Sequence, residues 1–174
     1  VSVTADNDSK IVAVAGNLAL NMGGTAAIGM ALTVNDIDNT VKAYTSGTTV
    51  ESTGGDVKVT AEDTAELRSG AGGGSAASKF AFQGSASINL VNVTTSASIG
   101  SSTTVTADGT VLVQAAAKMP VTTVSGNIAG SQGGAIGLGN STLITDEKVT
   151  ATIGTNSSVT ALGNGAGLAA HTGT

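Results

Sequence analysis

Between Ala26 and Asn35 the side chains sort by parity: Ala26, Ile28, Met30, Leu32 and Val34 on one set of alternate positions, Ala27, Gly29, Ala31, Thr33 and Asn35 on the other. A period of two is the signature of a β-strand with one covered face, and a helix would mix the two sets. The same alternation recurs in Val57, Val59 and Ala61, in Val111, Val113 and Ala115, in Ala97 and Ile99, and in Val149, Ala151 and Ile153. Each run lasts four to seven residues and ends in clusters such as STGGD, TADGT and IGTNSS. Gly, Asn, Asp and Ser in such clusters favour turns, because they tolerate positive φ or bond their side chains to nearby backbone. Many short strands are therefore predicted.

Residues 21–35 are apolar enough to raise the question of a membrane helix. Their counterpart SKFAFQGSASINLVN, at 78–92, carries Lys79, Gln83 and several serines. Hydrocarbon would leave those groups unpartnered, so no membrane span is expected.

A longer period lies over the short one. Val34 and Ile88, Asn35 and Asn89, Ala43 and Ala97, and Val57 and Val111 are each 54 residues apart. Ala151 and Val159 continue the series from Ala97 and Val105. The stretch AGNLALNMGGTAAIGM (15–30) matches SGNIAGSQGGAIGL (125–138) once two residues are dropped, placing Ile28 two periods before Ile136. The chain is thus read as a single repeat array: a partial repeat at 1–56, repeats at 57–110 and 111–164, and the start of another at 165–174, expected to be cut from a longer array.

Short strands with one apolar face, repeated at a fixed interval, cover that face when the chain coils and lays each strand on its predecessor. The predicted fold is all-β, a parallel β-solenoid with about two coils per repeat. Its apolar sets, Ile28, Ile88, Ile136, Val57 and Val111 among them, are expected inside, with Ser and Thr outside. Composition supports a thin core. The chain has 25 Gly, one Pro (Pro120), 2 % aromatics and no Cys, and roughly a quarter of it is Ser or Thr. A sandwich or barrel would need larger core side chains and would not account for the period.

Candidate chemistry is sparse. Asp36 and Asp38 share a face at spacing two, a pattern suited to an acid–base pair or a calcium ligand set, although the residues 54 later are Leu90 and Asn92. They are the weak metal candidates. His171, the one histidine, has no Ser or Asp partner nearby. SGAGGGSA is similar to a phosphate-binding glycine loop but lacks the following Lys. No catalytic residue and no cofactor is expected. The net charge of −5 and the scattered seven cations offer no nucleic-acid surface. Asn35 and Asn89, one period apart, suit a stacked amide ladder inside a turn, a structural role.

The run AGNLALNMGGTAAIGMALTVNDIDNTVKAYTSGTTVESTGGDVKVTA (15–61) resembles the repeats of very large secreted adhesins of Gram-negative bacteria, the filamentous haemagglutinin and leukotoxin-like surface proteins. The resemblance covers nearly the whole chain and implies no catalytic residue. In the third copy Asn140 and Thr142 interrupt the alternation where the first has Leu32 and Val34. The resemblance implies export to the cell surface, a right-handed β-helical stalk, and association with neighbouring repeats, other copies, or a host-cell, matrix or glycan receptor. A carbohydrate-binding or carbohydrate-cleaving β-helix is the alternative. An ice-binding solenoid is a minor one, set back because Lys42, Ala43 and Tyr44 stand where regular threonine ranks are required.

Overall fold

Residues one period apart lie side by side in parallel ladders. The computed structural model describes residues 1–163 and is all-β over that range. His171 and the start of the next repeat at 165–174 lie outside the described residues. Ten strands run in order: β1 (Ser2–Asn21), β2 (Ala26–Thr45), β3 (Thr49–Ser52), β4 (Val57–Ala77), β5 (Phe80–Ile99), β6 (Thr104–Ala107), β7 (Val111–Lys118), β8 (Val121–Ser131), β9 (Gly134–Ile153) and β10 (Ser158–Ala161). They form three parallel sheets: sheet I from β1, β4 and the β7/β8 pair, sheet II from β2, β5 and β9, and sheet III from β3, β6 and β10.

The register is the sequence period. Val34 pairs with Ile88, Asn35 with Asn89, Ala97 with Ala151 and Val57 with Val111. In sheet I, Ser2 pairs with Lys58, an offset two residues longer. The excess lies in the turn between β1 and β2, where Met22–Thr25 replaces the two-residue turns Ser78–Lys79 and Gln132–Gly133. It is the pair of residues dropped in aligning the first repeat with the third.

The chain visits each sheet once per period, so the expectation of about two coils per repeat is corrected to one circuit. The cause is strand length. Most strands of sheets I and II run about 20 residues, because Gly29, Gly84, Asn35 and Asn89 lie within strands and do not end them. The amide groups that serve as turn signals in the sequence are bonded across the sheet interior instead.

Long strands fix parity, and parity decides which face is inside. Sheet III closes one end of the space between sheets I and II. There Val57, Val59 and Ala61, Ala97 and Ile99, Val105 and Ala107 form the main apolar core, with Val111 half-buried against it. Farther along, Ile37, Ala65, Leu67, Val91 and Val93 form a second cluster. All these residues of sheets I and II have odd numbers. An unbroken strand turns successive side chains to opposite sides, so the odd positions stay inside through the rest of each strand. Ile28, Ile88 and Ile136, even-numbered, therefore face outward: Ile28 is 67 % and Ile136 45 % exposed, and Ile88 is half-buried. The expectation that this apolar set lies inside with Ser and Thr outside is thus reversed in this half of the strands. Asn140 and Thr142 do not break β9; they too are outward positions of a continuous strand.

Candidate interaction surface and the polar seam beneath it

Beyond the two apolar clusters, sheets I and II face each other across small and polar side chains. Asn35 Nδ2 donates to Asn89 Oδ1 at 2.8 Å and lies 3.0 Å from Ser69 Oγ. Ser69 and Ser87 hydroxyls are 2.6 Å apart, and Asn89 Nδ2 reaches Ser87 Oγ at 3.2 Å and the Thr142 carbonyl at 3.3 Å. Thr33 completes the group at 3.2 Å from Ser69. Asn35, Asn89, Ser69, Ser87 and Thr33 are all buried. Asn35 and Asn89 sit in mid-strand in sheet II, so the turn expected around them is corrected to a ladder in the sheet interior.

The seam lets the two sheets approach closely, as each of these five residues has a partner on the same or the opposite layer and its desolvation is offset, whereas the nearby buried Ser75 and Ser85 hydroxyls and Gln83 Oε1 have no hydrogen-bond partner among the described residues. In the third circuit Ser125 and Asn127 of β8 donate to the carbonyls of Asn140 and Leu138 in β9, and Ser141 donates to Thr123 at 2.5 Å. Space favours glycine where the layers approach. A Cβ on Gly139 would stand 3.3 Å from the Ser125 carbonyl, and one on Gly73 would meet the Gln83 amide and, at 2.6 Å, the Asn17 carbonyl. The glycine-rich SGAGGGSA run is thus part of β4, packed against sheet II, and not a phosphate loop.

Polar groups inside leave apolar groups outside. On sheet I, Val12, Val14, Leu18 and Leu20 of β1 and Val124 and Ile128 of β8 face solvent, with Val14 81 % and Ile128 79 % exposed. Between these ridges β4 contributes Gly70, Gly72, Gly74 and Ala76, with Arg68 at the edge beside Val12. On sheet II, Met30 and Leu32, Phe82, and Leu138 surround a floor of Gly84 and Ala86, enclosing an apolar cleft of about 340 Å³. No Asp, Glu, Lys or Arg occurs from Ile11 to Asn35, and Lys79, at a turn, is the single ionisable residue from Ser69 to Thr95.

The charged residues lie on the other half, toward sheet III. Asp36 and Asp38 point outward from β2, and Asp38 Oδ1 accepts from Asn92 Nδ2 at 3.3 Å. Among the described residues no group of three or more His, Cys, Asp or Glu is placed to hold a metal ion. Asp38 also borders a polar groove of about 640 Å³ with Asp6, Asn7, Asn39 and Lys42. Asp63, which adjoins Glu62 in sequence, turns inward and is 2 % exposed, accepting from Asn7 at 2.9 Å and Asn39 at 3.4 Å. Lys10 and Arg68 both contact Glu66, the former at 3.0 Å, and hold its carboxyl below the ordinary range, Lys10 foremost.

Sequence reasoning missed Ser69, Ser87, Thr33 and Asp63 as interior residues. The signal that carries them is parity: nothing between Phe80 and Ile99 breaks the strand, so Val91, Val93 and Ile99 fix Ser87 and Asn89 on the same side. No protein-family model, no curated protein and no solved structure matches the chain.

Proposed function

We propose that this chain is a segment of a β-solenoid stalk belonging to an extracellular bacterial adhesin, where it supplies reach and association and carries out no catalysis. One observation carries the reading: three successive circuits pair in parallel at one 54-residue offset in sheet II. Such a unit lengthens by repetition without closing on itself, which is the property a stalk needs. The resemblance to repeats of large secreted adhesins supplies the cellular setting. Two experiments test it. Inserting a second copy of residues 57–110 should lengthen the particle by about 4.8 Å in small-angle scattering, the spacing of one strand. Antibodies raised against the chain should label intact, unpermeabilised cells that make the parent protein; labelling only after permeabilisation overturns the surface assignment.

The polar groove beside Asp6 and Asp38 favours a second reading, a carbohydrate-binding or carbohydrate-cleaving β-helix. A glycan array followed by a turnover assay separates the two. Retention of a defined glycan that is lost in Asp38→Asn supports the second; no retained glycan supports the stalk.

A further inference from the structure

The outer faces of the half remote from sheet III are apolar on both layers, and each is large for a free surface. Full burial of one aliphatic side chain removes roughly 60–120 Å² of apolar area. Six large residues on sheet I and a similar number on sheet II, around half to four-fifths exposed, then amount to roughly 200–500 Å² per face, comparable to the largest patch on a typical monomer. A standard protein interface buries about 800 Å² per partner, somewhat over half of it apolar, so one face supplies roughly half or more of the apolar share of one partner.

The two faces differ in relief. Sheet I carries projecting knobs, Leu18 and Ile128 among them, while sheet II carries the cleft floored by Gly84 and Ala86. They lie on opposite sides of the same pair of layers. Membrane lipid is a poorer occupant, since peripheral insertion relies on Lys or Arg beside Trp or Phe, and this chain has a net charge of −5 and no Trp. We propose that the chain stacks laterally on a second copy of itself, the sheet I knobs of one copy entering the sheet II cleft of the next. Such a contact joins two different surfaces, so it is heterologous and does not close at two copies. The proposal rests on the stalk reading and specifies how stalks bundle.

Sedimentation velocity of the chain over a dilution series tests it. The average mass should rise past that of a dimer with concentration. Gly84→Leu fills the cleft; its Cβ would be 3.6 Å from Phe82 and 3.9 Å from Met30, an ordinary contact, and the rest of the side chain has the cleft to occupy. The pair Leu18→Lys and Ile128→Lys charges the knobs at exposed positions. Each variant should weaken association at least about tenfold with an unchanged circular dichroism spectrum and urea midpoint. Mixing the two restores one good contact, and association should then stop at a one-to-one pair. A monomer at every concentration, a wild-type mass that stops at the dimer, or binding to phosphatidylcholine vesicles by a monomeric chain overturns the proposal. None of these results touches surface labelling of cells, so loss of the stacking and loss of the stalk reading are told apart.

Discussion

Asn35 and Asn89 stand one period apart and share a 2.8 Å hydrogen bond in the interior of sheet II, with Ser69 of sheet I 3.0 Å from the donor. This links a circuit to the next and one layer to the other at a single point. Removing one partner leaves the others buried and short of a hydrogen bond. Asn89→Ala should therefore lower unfolding free energy by about 2–4 kcal/mol, read as a shifted urea midpoint with an unchanged slope. A change under about 0.5 kcal/mol would show that the seam contributes packing only.

Parity is tested by paired substitutions. Leu32, 59 % exposed, and Leu67, fully buried, are both leucines in long strands. Leu32→Ser should cost less than about 1 kcal/mol, whereas Leu67→Ser should cost about 3 kcal/mol or more, from the lost transfer energy, the cavity and an unpaired hydroxyl. Equal costs in chemical denaturation, at concentrations where the chain is monomeric, would mean that Leu32 is covered.

Close approach of the layers makes Gly73 sensitive. Gly73→Ala drives a Cβ onto the Asn17 carbonyl and the Gln83 amide. A loss of about 1–3 kcal/mol is expected from overpacking. Gly84→Ala, on the outer face, is the control and should be near neutral.

Ser102 holds a φ of 56° at the corner between β5 and β6, where Gly47 and Asn156 have φ of 58° and 57° at the same corner in the other circuits. A left-handed residue with a Cβ costs roughly 1–2 kcal/mol, partly offset in a glycine variant by the looser unfolded chain, about 0.4–1 kcal/mol. Ser102→Gly should raise stability by up to about 1 kcal/mol in a thermal or urea melt.

Acid should loosen the turns between circuits. Asp56 accepts from the Thr110 N–H at 2.9 Å and its hydroxyl at 3.0 Å, and these bonds, the backbone one first, hold its carboxyl below the ordinary 3.8. Glu66 is held below 4.5, chiefly by the Lys10 hydrogen bond. Folded-state values below the unfolded ones mean stability that is present above the ordinary carboxylate range and lost as the pH falls through the lowered values. Stability from these groups should be level from pH 7 to about 5 and decline below about 4. Asp56→Asn should flatten part of that decline, measured by urea midpoints across the range.

What the sequence determined by itself is the all-β character, the 54-residue period and which residues stand side by side in sheet II, because parallel in-register pairing copies sequence spacing into space; β3 pairs with β6 one residue off that spacing, Thr49 with Thr104. It made the Asn35–Asn89 pairing legible, since two amides one period apart meet whenever repeats stack. It did not reveal Ser69 as their partner, which comes from another sheet. Nor did it fix the inner face: Ile28, Met30 and Leu32 compete with Ile37, Val41 and Ala43 of the same strand for the interior, and the two sets have opposite parity. Only the tertiary structure decided between them. Sheet III closes the end where the odd-numbered residues gather, the largest apolar core forms there, and an unbroken strand then carries that choice along its length, leaving Ile28, Met30 and Leu32 outside over a polar seam.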